Sequence, residues 1–564
     1  MSQVEGIDAK LVVDPRIDLD EKPVYLIEKA GEYIRYRTEP SQNNSGSSIN
    51  FSIIPPNKNI VVDKKMYIDL DCTFTFSGDA GAGNVLLPAV PAGPIIAPAT
   101  GELVGETDAL RWMPLQSVTE SLRMTFNQST VSQNMSDYIE ALSRTGFTQE
   151  YETLDQSIAP SMHDQFQEYS DNTVYGTARN PLAAYGQNSA QQPRGAFEYT
   201  VLDNQQTSAQ VRVQWSEMIM LSPLLFSKLE QKGFVGLTNI DVTFNLGDLT
   251  RMWSHDATSA ALPTPLAVDS VAFSSFPQMR LCYITPLALA PIPLVNKYPY
   301  YEISRYPTDI GDVAAGASFS RSAQNIQLSS IPKRVYVFAR QRNLDRDFTQ
   351  SDVYARIDQL QIQFDNKNAL LGSATSRDLY ELSVRNGLQM SWMQWSKHCG
   401  SVAVIDFAHD ISLDAAQSVG ERGQFQFQVE VDITNTGSNQ KNYTLYVVVV
   451  SEGVFTIADT QTSLDVGAVR PLNVLEAEKH GIERIPWRDA YDFQGGSFLG
   501  NLKKWGRRLL PYVRKALPYA KRAVQLGEQY LPEAAALLAA GQGMTGAGVT
   551  GGAMAPRRKL RTRM

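Results

Sequence analysis

Cysteine is scarce. The 564 residues hold three, Cys72, Cys282 and Cys399, far apart and odd in number. That excludes a disulfide framework and any cysteine-rich metal spacing, and it fits a reducing compartment or incidental burial. Histidine is nearly as sparse, at His163, His255, His398, His409 and His480. Only His398-Cys399 and His409-Asp410 lie close together, short of the four ligands a tetrahedral zinc site takes. Ordinary packing is the expectation there, with no metal and no cofactor. No apolar run approaches the ~20 residues of a spanning helix. The N-terminus, MSQVEGIDAKLVVDPRIDLDEK, is acidic and lacks an apolar stretch, so no signal peptide is read. A soluble chain made inside a cell is expected. A serine-hydrolase GxSxG, a phosphate-cradling P-loop and a zincin HExxH are all missing. The glycines of GDAGAG, from Gly78, open a Pro/Ala loop rather than a helix, and the acids Asp345 and Asp347 have no nameable partner and read as solvated loop charges. No catalytic constellation remains, so the chain is expected not to be an enzyme.

Long helical periodicity is also lacking before residue 497; what is present instead is alternation. In residues 423–457, Phe425, Phe427, Val429, Val431 and Ile433 share one side of a period-2 ribbon. Gln424, Gln426, Gln428, Glu430 and Asp432 share the other, which predicts a half-buried antiparallel strand. NTGSNQKN (Asn435 to Asn442) supplies turn residues. Tyr443 to Val450 is then apolar on both faces, as a strand covered from both sides must be.

The same grammar predicts strands at Tyr33–Tyr36, Met66–Phe76, Ser121–Phe126, Ala209–Trp215, Ile240–Leu246 and Met279–Thr285. A second block offers Asn325–Leu328, Arg334–Ala339, Ile357–Phe364, Gly387–Met393, Val402–Phe407 and the pair just described. Short helices are expected at Ser136–Arg144 and Leu224–Lys232. Residues 77–107 read as a Gly/Ala/Pro loop, and residues 286–300, punctuated by proline, as a connector. The aromatic run KYPYYEISRY (Lys297 to Tyr306) reads as a loop that either contacts another subunit or packs on its own domain. About eight strands per block suit two face-to-face sandwiches, although periodicity does not separate a jelly roll from an immunoglobulin-like sandwich. The division is an arm at 1–22, a first sandwich at 23–287, a second at 288–480 and a tail at 481–564.

Charge separates the tail from the body. The formal net charge is −8, yet from Tyr491 onward thirteen Lys and Arg face three acids, a local +10 that leaves −18 on residues 1–490. Such asymmetry points to an anionic partner, nucleic acid or a membrane surface. Leu502, Trp505, Leu509, Val513, Leu517, Ala520 and Val524 advance by three or four, a helical stripe interrupted by Pro511 and Pro518. Lys503, Lys504, Arg507, Arg508, Arg514, Lys515, Lys521 and Arg522 occupy the other faces. A Gly-rich stretch then ends in Arg557, Arg558 and Lys559. These cations are the candidate contacts to DNA or membrane; a solvated tail or a nuclear-import signal at Pro556–Arg563 is the plainer alternative.

One segment carries a likeness to a known family. Ser330-Ile331-Pro332 leads into VYVFAR (Val335 to Arg340), followed by IDQLQIQFDNKNALL (Ile357 to Leu371) and DLYELSVRNGLQMSWMQW (Asp378 to Trp395). Gly400-Ser401 opens VAVIDFAHDISL, and GVFTI (Gly453 to Ile457) closes the last strand. This order resembles the second jelly roll of double jelly-roll major capsid proteins of polintons, adintoviruses, polinton-like viruses and virophages. The resemblance implies an all-β chain of two tandem eight-stranded antiparallel jelly-roll sandwiches with inserted loops and a basic, partly helical C-terminal tail. It further implies a homotrimeric, pseudo-hexameric capsomer tiling an icosahedral shell around double-stranded DNA, beside penton and minor capsid proteins. Met544-Thr545-Gly546-Ala547-Gly548 resembles sites cut by adenovirus-type maturation proteases, here between Ala547 and Gly548. That adds a viral protease, beside DNA or an internal membrane, to the implied partners. A penton-like or minor capsid protein, and a glycan- or receptor-binding β-sandwich, are the competing readings.

Overall fold

Alternating apolar and polar residues, cut at short intervals by turns, build a succession of antiparallel strands. The structure, a computed structural model, describes residues 34–78, 108–146, 163–164, 198–205, 207–219, 233–255, 267–285, 295–407, 409–413 and 417–467. It begins with β1 (Ile34–Pro40), β2 (Ser48–Ile53), β3 (Val61–Val62), β4 (Tyr67–Ser77) and β5 (Asp108–Leu110). A short helix α1 (Pro114–Val118) leads to β6 (Thr119–Phe126), β7 (Ser129–Gln133) and helix α2 (Met135–Gly146). Next come β8 (Glu198–Asn204), β9 (Ser208–Met218), β10 (Ile240–Leu246), β11 (Trp253–His255), β12 (Ala267–Phe273) and β13 (Gln278–Ile284).

The second group opens with β14 (Val295–Val313), β15 (Ser318–Ser322), β16 (Ile326–Ser330) and β17 (Arg334–Gln341). It continues through β18 (Arg356–Phe364), β19 (Lys367–Leu370) and helix α3 (Ser376–Arg385). It ends with β20 (Ala403–Asp406), β21 (Arg422–Thr434), β22 (Lys441–Ala458) and β23 (Gln461–Val466).

Both groups wind the same way. In the first, a sheet ordered β1-β13-β4-β9-β8 is joined by one ordered β2-β10-β6-β7. In the second, the orders are β14-β22-β17-β20 and β15-β21-β18-β19, with β16 also on β21. In both, the opening strand lies beside one from the end of the group (β1 on β13, β14 on β22, which only the short β23 follows), and the next strand in sequence starts the other sheet. That is the jelly-roll winding, found twice. The inner rows carry the core. Ile68, Leu70, Cys72, Phe74 and Phe76 of β4 are buried, as are Phe425, Phe427, Val429, Val431 and Ile433 of β21. Full burial of each such side chain contributes about 1.5–3 kcal/mol, an upper figure because unfolded chains already hide some apolar surface.

Three expectations change. Lys297–Tyr306 is not a loop: it lies inside the 19-residue strand β14. β14 pairs only with β22 among the described strands, and such an edge tolerates Pro299 and Pro307 where the missing N–H faces away from its neighbour. Gly387–Met393 is not a strand. Leu388 and Met390 are buried while Gln389 and Ser391 are exposed, but Gln389 N donates to Arg144 O at 2.9 Å rather than into a ladder. The residues before it form α3, opened by a capping box in which Thr375 and Asp378 bond reciprocally. Asp345 has a partner, Arg342, whose Nε lies 2.9 Å from it. Helix α2 stands where a short helix was expected. The proposed helix at 224–232, most of the 77–107 loop and the three domain boundaries lie outside the described residues.

Candidate functional site: two buried seams between the sandwiches

β22 is apolar on both faces because a helix of the first sandwich covers its sheet. α2 is buried from Met135 to Arg144, held between its own β6 and the outer face of β17. Thr145 Oγ1 and the Tyr336 hydroxyl are 2.7 Å apart. Arg305 Nε lies 2.6 Å from Asp137 Oδ2, and Asn343 Nδ2 donates to Asp137 Oδ1 at 2.7 Å. Arg340 donates to the Ser136 carbonyl, and its guanidinium sits 5.5 Å over the Tyr446 ring. Arg144 pairs with Glu140 at 2.7 Å and lies 5.6 Å over Tyr354. A helix with polar residues so fully enclosed is stable only when each finds a partner.

Beside this helix, Asp352 gathers three guanidinium groups. It accepts from Arg111 Nη1 at 2.7 Å, Arg251 Nη2 at 2.9 Å and Arg346 Nη1 at 2.6 Å. Two of these arginines belong to the first sandwich and one to the second. The Asp352 amide donates to Asp164 Oδ2 at 2.8 Å. Arg111 also donates to the carbonyl oxygens of Arg251, Trp253, Gln350 and Asp347, so its fork ties both sandwiches. Burial raises the pKa of Asp352, but the guanidiniums of Arg111, Arg251, Arg346 and Arg340 outweigh it and hold the carboxyl well below the usual range. Burial, with Arg251 and Arg340 adding repulsion, lowers the pKa of Arg346 as well, against the pull of Asp352. A guanidinium keeps its proton in proteins, so this repulsion stays in the fold and Asp352 is what offsets it.

Beside this seam Cys399 Sγ donates to Asp164 O at 3.7 Å, and burial pushes the thiol up to about 11, the state of an inert structural cysteine. His409 Nδ1 pairs with Asp410 Oδ1 at 2.8 Å. Among the described residues no three His, Cys, Asp or Glu are grouped to hold a metal ion.

A second seam joins the β6–β7 hairpin to β23. Thr462 Oγ1 accepts from Ser129 N at 3.0 Å and donates to Phe126 O at 2.9 Å, while Asn127 Nδ2 donates to Thr460 O at 2.8 Å. Five ring pairs among Phe126, Phe234, Tyr298 and Phe455 have centroids 5.2–6.2 Å apart. The Lys64 ammonium sits 5.7 Å from the Phe234 ring and 5.6 Å from the Tyr298 ring. Burial, opposed by Asp63, lowers its pKa from 10.5 to about 8. A depressed lysine means the unfolded chain binds more protons above that value, so stability rises with pH between about 8 and 10.5. Urea midpoints of Lys64→Met and the unaltered chain should therefore differ by an amount that drifts, in favour of the unaltered chain, from pH 7.5 to about pH 10. A pH-independent difference would remove this reading of Lys64.

Neither seam was legible residue by residue, because the partners are far apart in sequence; Arg111 and Asp352 are 241 positions apart. The cations singled out earlier, from Lys503 to Arg522 and at Arg557, Arg558 and Lys559, lie outside the described residues, as do Ala547 and Gly548.

Known proteins resemble the chain along nearly all of this architecture. Residues 6–282 match the family described as the Sputnik virophage major capsid protein first domain. Residues 303–399 and 396–453 match the major capsid protein V20 C-terminal domain. Capsid protein V20 of Sputnik virophage is 27% identical over 522 residues, spanning 87% of this chain and 85% of that protein. The cryo-EM structure of the Sputnik virophage superposes with a TM-score of 0.70 at 26% identity, covering 88% of this chain and 98% of the other. The mavirus major capsid protein shares the fold, with a TM-score of 0.62 at 13% identity over 84% of this chain and 99% of that one. With both domain families matched in tandem on two jelly rolls of like winding, the chain belongs to the double jelly-roll major capsid proteins of the virophage lineage.

Proposed function

We propose that this major capsid protein assembles as a homotrimer, six sandwiches forming a pseudo-hexameric capsomer that tiles an icosahedral shell around a DNA genome. One observation carries the reading: two sandwiches of the same winding are locked side by side by the Asp352 seam, which makes the chain a two-unit brick. Its work in the virion is shape rather than reaction. Residues 23–287 and 288–480 are the two units of that brick. Penton and minor capsid proteins are its neighbours in the shell. The tail from 481, with Lys503, Lys504, Arg507, Arg508, Arg514, Lys515, Lys521 and Arg522, faces inward and neutralises packaged phosphate. A maturation protease cutting after Ala547 would release Arg557, Arg558 and Lys559.

Light scattering on the purified chain should return the mass of three copies. Deleting residues 491–564 should leave that mass intact and reduce the DNA content of assembled particles. A deletion that unfolds the body would place the tail inside the core and end this division of labour.

A further inference from the structure

Helices α2 and α3 hold the same place in the two sandwiches. Each follows the hairpin that ends the second of the two sheets in its sandwich, β6–β7 in one and β18–β19 in the other. Each hairpin turns through a left-handed residue, Asn127 at φ 52° and Asp365 at φ 50°. Each helix packs on the first strand of that hairpin, α2 on β6 and α3 on β18. They also share a spacing of residue types. Asp137, Glu140, Arg144 and Gly146 recur as Asp378, Glu381, Arg385 and Gly387.

Their surroundings differ. α2 is enclosed because the outer face of the β14-β22-β17-β20 sheet lies over it. The outer side of α3 is open: Arg377, Glu381 and Arg385 are exposed, and Val384 is 40% exposed. Just beyond the helix Met393 is 43% exposed. Two apolar residues exposed singly are ordinary on a surface; what points to a partner is that the matching helix α2 is covered.

The first sandwich has a sheet face of the kind that covers α2. Its order β1-β13-β4-β9 corresponds to β14-β22-β17-β20. Tyr36 of β1 is 83% exposed there. Arg280 lies 5.1 Å over the Tyr67 ring, as Arg340 lies 5.5 Å over Tyr446 in the second sandwich. Arg280 and Arg212 remain about half exposed, paired with Asp69 and Asp71. This face offers guanidinium and tyrosine to an incoming acid-bearing helix, which is how the covered face meets Asp137.

We propose that α3 of one copy docks on the outer β1-β13-β4-β9 face of the next, repeating between chains the contact that α2 makes within one. The inference deepens the trimer reading and rests on it, since a head-to-tail contact repeated three times closes a ring of six sandwiches. Glu381, one turn beyond the position that matches Asp137, meets Arg280 as its cation, and Val384 and Met393 cover Tyr36.

The test uses the full chain. The three native cysteines are buried, so introduced ones react selectively. Val384→Cys with Tyr36→Cys, treated with a short bismaleimide, should give cross-linked bands that stop at three chains. Val384→Cys with Asn245→Cys, on the other sheet, should stay uncross-linked. Glu381→Arg should shift the light-scattering mass from three chains to one with unchanged circular dichroism, and adding Arg280→Glu should restore at least half of the trimer. A three-chain mass that survives Glu381→Arg, with no Val384–Tyr36 product or an equal Asn245 product, overturns the docking and leaves the trimer standing. A one-chain mass for the unaltered protein at every concentration overturns the trimer itself.

Discussion

Asp352→Ala should destabilise the chain by about 3–5 kcal/mol, the cost of leaving buried charge without its counterion. The three guanidinium groups that converge on this carboxylate, at 2.6–2.9 Å, would face one another in a region already short of solvent. The repulsion felt by Arg346 from Arg251 and Arg340 shows which way the balance then tips. Asp352→Asn should recover little, because an amide keeps the shape but loses the charge and points two donors at donors. Two cores and two seams do not melt as a single two-state unit, so the readout is the first transition in urea or on heating. That transition should fall on the order of 5–15 °C. The pH dependence has a fixed sign. A carboxyl held below its unfolded value contributes stability above about pH 4, and that stability is lost as the medium is acidified through the lower, folded value. A variant melting within about 1 kcal/mol of the unaltered protein would mean that the second seam alone locks the sandwiches.

The strands were legible where one rule acts alone. β21 alternates because one face meets the core and the other meets water, and the sequence records both. β22 announced through Tyr443 to Val450 that both its faces were covered, but not that α2, some 300 residues earlier, lay in the cover. Where two rules competed, the reading failed. Pro299 and Pro307 signal a break in a central strand and are harmless on the edge strand β14, and edge position is a property of the assembled sheet. In Gly387–Met393 burial does alternate, but the hydrogen bonds that define a strand are absent, and periodicity reports only burial. α3 buries only Leu379 and Ser383 fully, too few for an apolar stripe; its signal was the Thr375–Asp378 cap. The Asp352 seam consists of single charged residues in separate segments, each of which reads locally as surface. The repeat of Asp137, Glu140 and Arg144 at Asp378, Glu381 and Arg385 was the one available sign that charges on a helix were building an interface.

Gly400→Ala should be the most damaging small change in the second sandwich. The backbone at Gly400 has φ +81°, and a Cβ there would stand 1.8 Å from the Tyr354 carbonyl oxygen and 2.4 Å from its carbon. Nothing nearby can yield cheaply. Tyr354 N donates to Cys399 O at 2.7 Å and Ser401 N donates to Ala355 O at 3.1 Å, so the two segments are zipped together on either side of the glycine. Ser401 Oγ accepts from Ile357 N at 3.0 Å, which carries the same register into β18. Moving Tyr354 outward would also pull its ring from Arg144 and from Phe338, 5.4 Å away, and so open the seam that α2 fills. The left-handed backbone costs an alanine about 1–2 kcal/mol, and forcing a methyl into a packed site adds roughly 1–3 kcal/mol or more. Gly311 separates the two contributions, since it has φ +93° and nothing within 4 Å of a built Cβ. Gly311→Ala should therefore show the backbone cost alone and give soluble protein. Gly400→Ala should lose about 1–3 kcal/mol or more beyond that, or fail to accumulate as soluble chain. Equal urea midpoints for the two variants would show that the Tyr354 strand gives way freely, and that the close approach at Gly400 does not hold the second sandwich to the seam.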